Sequence, residues 1–215
     1  MSRKLLLPVV AGSLLLGCYD PQEKFDEFGE RDKALHRPVK QVEGLPPPPA
    51  TCNRTDGNTK TFLLTIAPVI SPNQVSMVKM TITATSGGTA MNISAQTYAN
   101  DHQTLVGDVT NAGPVPINPD GTFQTDVLSL ALPAEANCIL GTPVTTEVQL
   151  MGGYVCDDAT FACGTMTGRV VEVGLDLAGS TWSAQEMPEG SPIPAPLLDC
   201  ARTPVDPAKA ACVGQ

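Results

Sequence analysis

The chain has 215 residues, 42% hydrophobic and 4% aromatic, with 13 Lys+Arg against 22 Asp+Glu and a formal charge of −9. That balance argues against recognition of nucleic acid or anionic lipid headgroups through a basic face, because both need clustered Lys and Arg. With one Trp, three Tyr and five Phe, any core has to be built mostly from Val, Leu, Ile and Met.

At the N-terminus, Arg3 and Lys4 precede an apolar run from Leu5 to Leu16. The run is about half the ~20 residues that a membrane-crossing helix needs. Its basic start and small-residue end have the form of a removable export signal. It closes on Leu15-Leu16-Gly17-Cys18, which resembles the lipobox of bacterial lipoproteins, a small residue before a cysteine just behind the signal core. The resemblance implies a signal peptide over residues 1–17, a diacylglycerol on the Cys18 thiol, and Cys18 as the acylated N-terminus. Membrane contact would then run through the lipid, each buried methylene contributing about 0.8 kcal/mol. In that family an aspartate directly after the cysteine retains the protein at the inner membrane. Here Tyr19 holds that position and Asp20 follows, so the resemblance favours the outer membrane, on its periplasmic or cell-surface face. Without residues 1–17, which hold Arg3 and Lys4 and no acid, 11 basic against 22 acidic residues give −11.

Residues 18–51 read as a charged, Pro-rich tether. Glu23, Lys24, Asp26, Glu27, Glu30, Arg31, Asp32 and Lys33 crowd together, and Pro46 to Pro49 form an unbroken proline run. Such a run favours a stiff polyproline II segment, and the charged part lacks the apolar residues for a core. Phe25, Phe28 and Leu35 could form a helical stripe, but three apolar anchors among many charges point to a solvated spacer. Fully extended at ~3.3 Å per residue, the tether would reach roughly 110 Å.

From about Thr61 the pattern becomes that of strands. Phe62, Leu64 and Ile66 alternate with Leu63 and Thr65, and Val78, Met80, Ile82 and Ala84 share one face. Period-two alternation of this kind is the strand signal. It recurs over 92–99, 105–111, 123–132, 144–150, 166–177 and 181–187, separated by turn residues such as Ser86-Gly87-Gly88, Asn118-Pro119-Asp120-Gly121, Gly152-Gly153 and Ala178-Gly179-Ser180. One strand changes phase, from Phe123, Thr125 and Val127 to Leu128, Leu130 and Leu132, and a bulge would reconcile the two faces. The fold class expected is all-β: a single antiparallel domain of about eight strands over residues 52–215, closed as a meander barrel or split as a sandwich. The tail from Pro188 to Gln215 is Pro-rich and irregular, with Cys200 and Cys212 to staple it.

Apart from Cys18, six cysteines remain: Cys52, Cys138, Cys156, Cys163, Cys200 and Cys212. An even number in an exported chain reads as a disulfide framework. Fifteen pairings are open, and the most local is Cys156 with Cys163 across a hairpin through Asp157 to Ala162. Zinc is not expected, since no CxxC pair occurs and neither His36 nor His102 has a cysteine nearby.

No nucleophile elbow, zinc-protease helix, phosphate loop or dinucleotide fingerprint is present. Asp157 and Asp158 would point to opposite faces of a strand and suit a solvated tip better than joint acid–base work. Asn118-Pro119-Asp120-Gly121 lacks the further acids of a calcium loop and is explained as a tight turn. The expectation is therefore non-enzymatic, with no metal or cofactor. An eight-strand meander is similar in architecture to lipocalin-type barrels, although the single Trp182 lies in the last expected strand, where core packing is its simplest role. Two readings follow: a lipid-anchored envelope module, structural or meeting a protein partner, and a carrier with a small apolar ligand inside a barrel lined by Met80, Ile82 and Val148.

Overall fold

The alternation of apolar and polar residues between Thr59 and Glu186 is realised as a run of β-strands in a computed structural model that describes Pro47, Pro49 and residues 51–212. Cys18 with its lipobox, the Phe25, Phe28 and Leu35 stripe, and His36 lie outside the described residues. In chain order the strands are β1 (Thr59–Ala67), β2 (Ser76–Thr85), β3 (Ala90–Tyr98), β4 (Leu105–Pro116), β5 (Phe123–Gln124), β6 (Leu128–Leu132), β7 (Val144–Gly152), β8 (Phe161–Val170), β9 (Leu175–Asp176) and β10 (Ser180–Glu186).

All pairings are antiparallel, in the order β4-β3-β2-β1-β10-β8-β7-β5, with β6 also on β7 and β9 also on β8. The two short partners complete interrupted strands. Phe123 pairs with Gly152 but Leu128 with Val148, so one extra residue lies between β5 and β6. Val127, at the step, is 65% exposed. This is the phase change seen in the sequence, and it leaves Leu128, Leu130 and Leu132 packed against the core. Counted as continuous positions, the described residues form eight strands, and the sheet curls into a half-barrel.

One expected strand is corrected. Residues 166–177 are not a single strand: β8 starts earlier, at Phe161, and ends at Val170, a turn carries Val171 and Val173 outward, and β9 follows. Gly174, at φ +61°, supplies the left-handed residue of that turn. The first half of β8 was hidden because Ala162-Cys163-Gly164 shows no apolar alternation.

Those small residues answer to Trp182, which is fully buried. Its indole Nε1–H donates to the Thr165 carbonyl at 2.9 Å and the Met151 carbonyl at 3.2 Å. A Cβ on Gly164 would lie 2.8 Å from that nitrogen and 2.0 Å from the Met151 carbonyl oxygen, and one on Gly153 would lie 2.8 Å from the far edge of the ring. Phe123 closes the cluster with its ring centroid 5.8 Å away. The inner face of the sheet, with Phe62, Leu64, Met80, Ile82 and Leu150 beside Trp182, is thus one continuous core.

Gly164→Ala is expected to destabilise the domain by about 3 kcal/mol, the upper part of the range for overpacking, because a backbone oxygen has to move. Urea denaturation followed by Trp182 fluorescence measures it; an unchanged midpoint would contradict the packing described.

Candidate functional site

Strand register gives the domain two ends. At one lie the chain entry at Cys52, the residue 117–122 turn and the β7–β8 loop. At the other lie residues 68–75, 99–104, 133–143 and 171–174. The interior differs between them. Around Phe62, Met80, Ile82, Phe123 and Trp182 only about 10 Å³ is unfilled. Towards the other end a recess of about 70 Å³ remains, lined by Leu130, Leu132, Leu140, Val144, Val148 and Leu175 among others. Met80 and Ile82 therefore do not share one cavity with Val148. A drug-sized ligand needs a pocket of ~300 Å³ or more, and the interior has no such space among the described residues.

The outer face of β1 and β10 is covered by the tail. Odd-numbered residues of β1 point away from the core, yet Leu63, Thr65 and Ala67 are buried. Leu63, Ala67, Met77 and Tyr98 form a second apolar cluster, against which Ile193, Leu198 and Val205 of the tail pack. On β10 the outward side chains donate to tail carbonyls: Thr181 Oγ1 to Leu198, Ser183 Oγ to Leu197 and Gln185 Nε2 to Ala195, each at 2.7 Å. An irregular segment, whose own pairing there is the single bridge Leu197↔Pro204, thereby has acceptors satisfied by a strand face.

All six remaining cysteines are paired: Cys52–Cys156, Cys138–Cys212 and Cys163–Cys200. The expected link between Cys156 and Cys163 is not formed. Ala162 faces the core with Trp182, so Cys163, its neighbour on the strand, points to the outer face, where Cys200 of the tail meets it. Cys156 sits before the strand, in the loop that Cys52 reaches. Gly121 makes room for that bridge: a Cβ there would lie 2.6 Å from Cys52 Sγ and 3.1 Å from Cys156 Sγ. The Asn118–Gly121 turn, with Gly121 N–H donating to the Asn118 carbonyl and Asp120 accepting from Thr122, is structural, as its sequence suggests.

Polar clusters serve the same scaffolding. Asp157 is an anchor rather than a solvated tip. Its carboxylate accepts from the backbone N–H and hydroxyl of Thr55 at 2.9 and 2.7 Å and from Asn58 at 2.6 Å. Asn58 and Thr55 hold that carboxyl below its usual value. Lys60 Nζ donates to the Asp157 and Ala159 carbonyls and pairs with Glu186 at 3.1 Å. No local pattern marks Asp157 as binding the entering chain, since the contact spans about a hundred residues.

His102, at φ +59°, occupies the β3–β4 turn beside Asp101, and its imidazole is held below the usual value by burial. The hydroxyl of Thr104, then the amides of Thr104 and Gln103, donate to Asp101 and lower its carboxyl from 3.8 to about 2. Among the described residues no group of three His, Cys, Asp or Glu is placed to hold a metal ion, and no helix is long and apolar enough to cross a membrane. Comparison with protein-family models, curated proteins and solved structures finds no match to this chain.

Replacing Cys163 and Cys200 together by alanine is expected to lose about 2–4 kcal/mol and to free the tail. Limited proteolysis within residues 188–200 checks this; equal resistance in both proteins would refute the strapping role. Acid should act on the Asp101 turn with a definite sign. A carboxyl lowered in the folded state contributes stability above its unfolded value, and that contribution disappears as pH falls from 3.8 through about 2. An NMR titration of Asp101 is expected to show its midpoint near 2, and Asp101→Asn should remove the associated amide shifts of Gln103 and Thr104.

Proposed function

We propose that the protein is a lipid-anchored lipoprotein of the bacterial cell envelope, working without catalysis as a structural or protein-interaction module. The observation that carries this reading is the division of the seven cysteines. Six are used in three disulfides, bonds that persist in oxidising compartments outside the cytosol. The one left over, Cys18, is the residue that ends the lipobox.

The arrangement of the β domain supports a surface role. Trp182, Phe123, Met80 and Ile82 fill the interior near the chain entry, which weighs against the lipocalin-like carrier. The mechanism is placement. Lipid on Cys18 fixes the chain to the outer membrane, the charged, Pro-rich segment spaces the domain from it, and the domain offers a loop rim to an envelope partner.

Intact-mass analysis of protein from the envelope fraction tests the anchor: the expected species starts at Cys18, lacks residues 1–17 and carries diacylglycerol on the thiol. Cys18→Ser is expected to shift the protein from the membrane to the soluble fraction and to lose cross-links formed in the native envelope. A mature chain starting elsewhere, or unmodified Cys18, would overturn the anchor; cross-links no stronger than the Cys18→Ser control would overturn the interaction role.

A further inference from the structure

Six large aliphatic side chains are notably exposed among the described residues, and four of them, Val69, Ile70, Val171 and Val173, lie at the end opposite Cys52. Their exposures run from 42% to 57%. They flank the mouth of the apolar recess directly in sequence: Pro68 precedes Val69, Val170 precedes Val171, and both Pro68 and Val170 line the recess. Exposed apolar residues grouped around a concavity mark a recognition surface more often than isolated ones do.

The recess selects the kind of occupant. At about 70 Å³ it is roughly two water volumes, enough for the end of one aliphatic side chain. The walls are mostly aliphatic side chains from β1, β2, β6, β7, β8, β9 and the residue 133–143 loop, with Ser76, Thr97, Asn137 and Thr146 among them. An anchor side chain seated in such a pocket is the usual centre of a protein interface.

Charge selects the flanks. Glu135, Glu172 and Asp176 stand in or beside the loops at this end. Of the cations there, Arg169 is held by Glu147 at 2.8 Å and Lys209 by Asp206 at 3.3 Å. Asp206 belongs to this end because its N–H donates to Asn73. The rim is thus acidic with its described cations already paired, a field that repels anionic membranes and attracts basic peptides.

Resting on the interaction-module reading, we propose that this end docks a segment of a partner protein in which one aliphatic side chain is flanked by Lys or Arg. The aliphatic side chain enters the recess between Leu132, Leu140 and Leu175, Val69, Ile70 and Val173 cover its neighbours, and the basic residues meet Glu135, Glu172 and Asp176.

The test uses the full mature chain made soluble by Cys18→Ser, labelled with ¹⁵N, and three synthetic peptides: Lys-Lys-Leu-Leu-Lys-Lys, its alanine analogue Lys-Lys-Ala-Ala-Lys-Lys, and Glu-Glu-Leu-Leu-Glu-Glu. The first is expected to give saturable amide shifts confined to residues 69–70, 139–142, 144 and 171–175, with both analogues about tenfold weaker or worse. Leu140→Trp, which fills the recess, should weaken the first peptide about tenfold; Val173→Lys, at an exposed position, should do the same without risk to the fold. No saturable shifts at this end, or an equal response to the alanine or glutamate peptide, overturns the proposal. So does stronger binding to vesicles of anionic phospholipid than to the leucine peptide. Shifts centred on another face would remove this site and leave the interaction-module reading intact. Peptide binding here without envelope cross-links above the Cys18→Ser control would remove that reading instead.

Discussion

The ladder between β1 and β10 joins the first strand to the last, through six residue pairs from Phe62↔Glu186 to Ala67↔Thr181. Bringing residues more than a hundred positions apart into register costs loop-closure entropy, though that cost grows only slowly with length. In return, β1 and β10 become central strands, with three strands on one side and β8, β7 and their short partners on the other. As a central strand β1 is buried on both faces: Phe62, Leu64 and Ile66 inside, Leu63, Thr65 and Ala67 outside. The Trp182 core depends on this ladder from within and the tail packing depends on it from without.

The tail makes the second face possible. Without it, Leu63, Met77 and Tyr98 would form an exposed apolar cluster on the outer surface. Two bridges hold the tail, Cys163–Cys200 to the middle of the sheet and Cys138–Cys212 to the far loop, while the third fastens the entering chain beside the Asn118–Gly121 turn. Only Cys163 lies on a strand; the other two bridges join loop, tail and entering segments to one another. The chain therefore uses its covalent links where hydrogen-bond ladders are absent, and leaves the sheet to hold itself by pairing and burial.

Much of this fold could be read from the sequence where side chains alternate. The Val78–Ala84 stripe gave β2, and the change of phase between Val127 and Leu128 gave the one-residue step against β7. Legibility failed where small size, not hydrophobicity, was the requirement. Ala162 and Gly164 are small to admit an indole from a distant strand, and that demand leaves no local pattern. Disulfide pairing failed for a related reason: nearness in sequence favoured Cys156 with Cys163, but face decides, and Cys163 faces outward. The recess and its rim were not legible either, since Pro68, Leu140 and Leu175 come together only when loops at one end of the half-barrel converge. Cys18 is the opposite case, a residue whose reading depends wholly on its neighbours in sequence.

The sheet ends in two strands that do not join into a ladder, β4 and the interrupted β5–β6. They approach at both extremities, through the bridge Ile117↔Phe123 and where Gly107 lies against Pro133. Between these points β4 is irregular: its register against β3 shifts twice, and it carries Asp108, Pro114 and Pro116. Its counterpart is broken by the step at Val127. Unpaired edges normally template the addition of further strands, and shifts, prolines and charges are the devices that prevent it. Copies of this domain held at high surface density would consequently meet as separate bodies, because neither border offers a neighbour a straight run of free amides on which sheet growth, and ultimately fibre formation, could start.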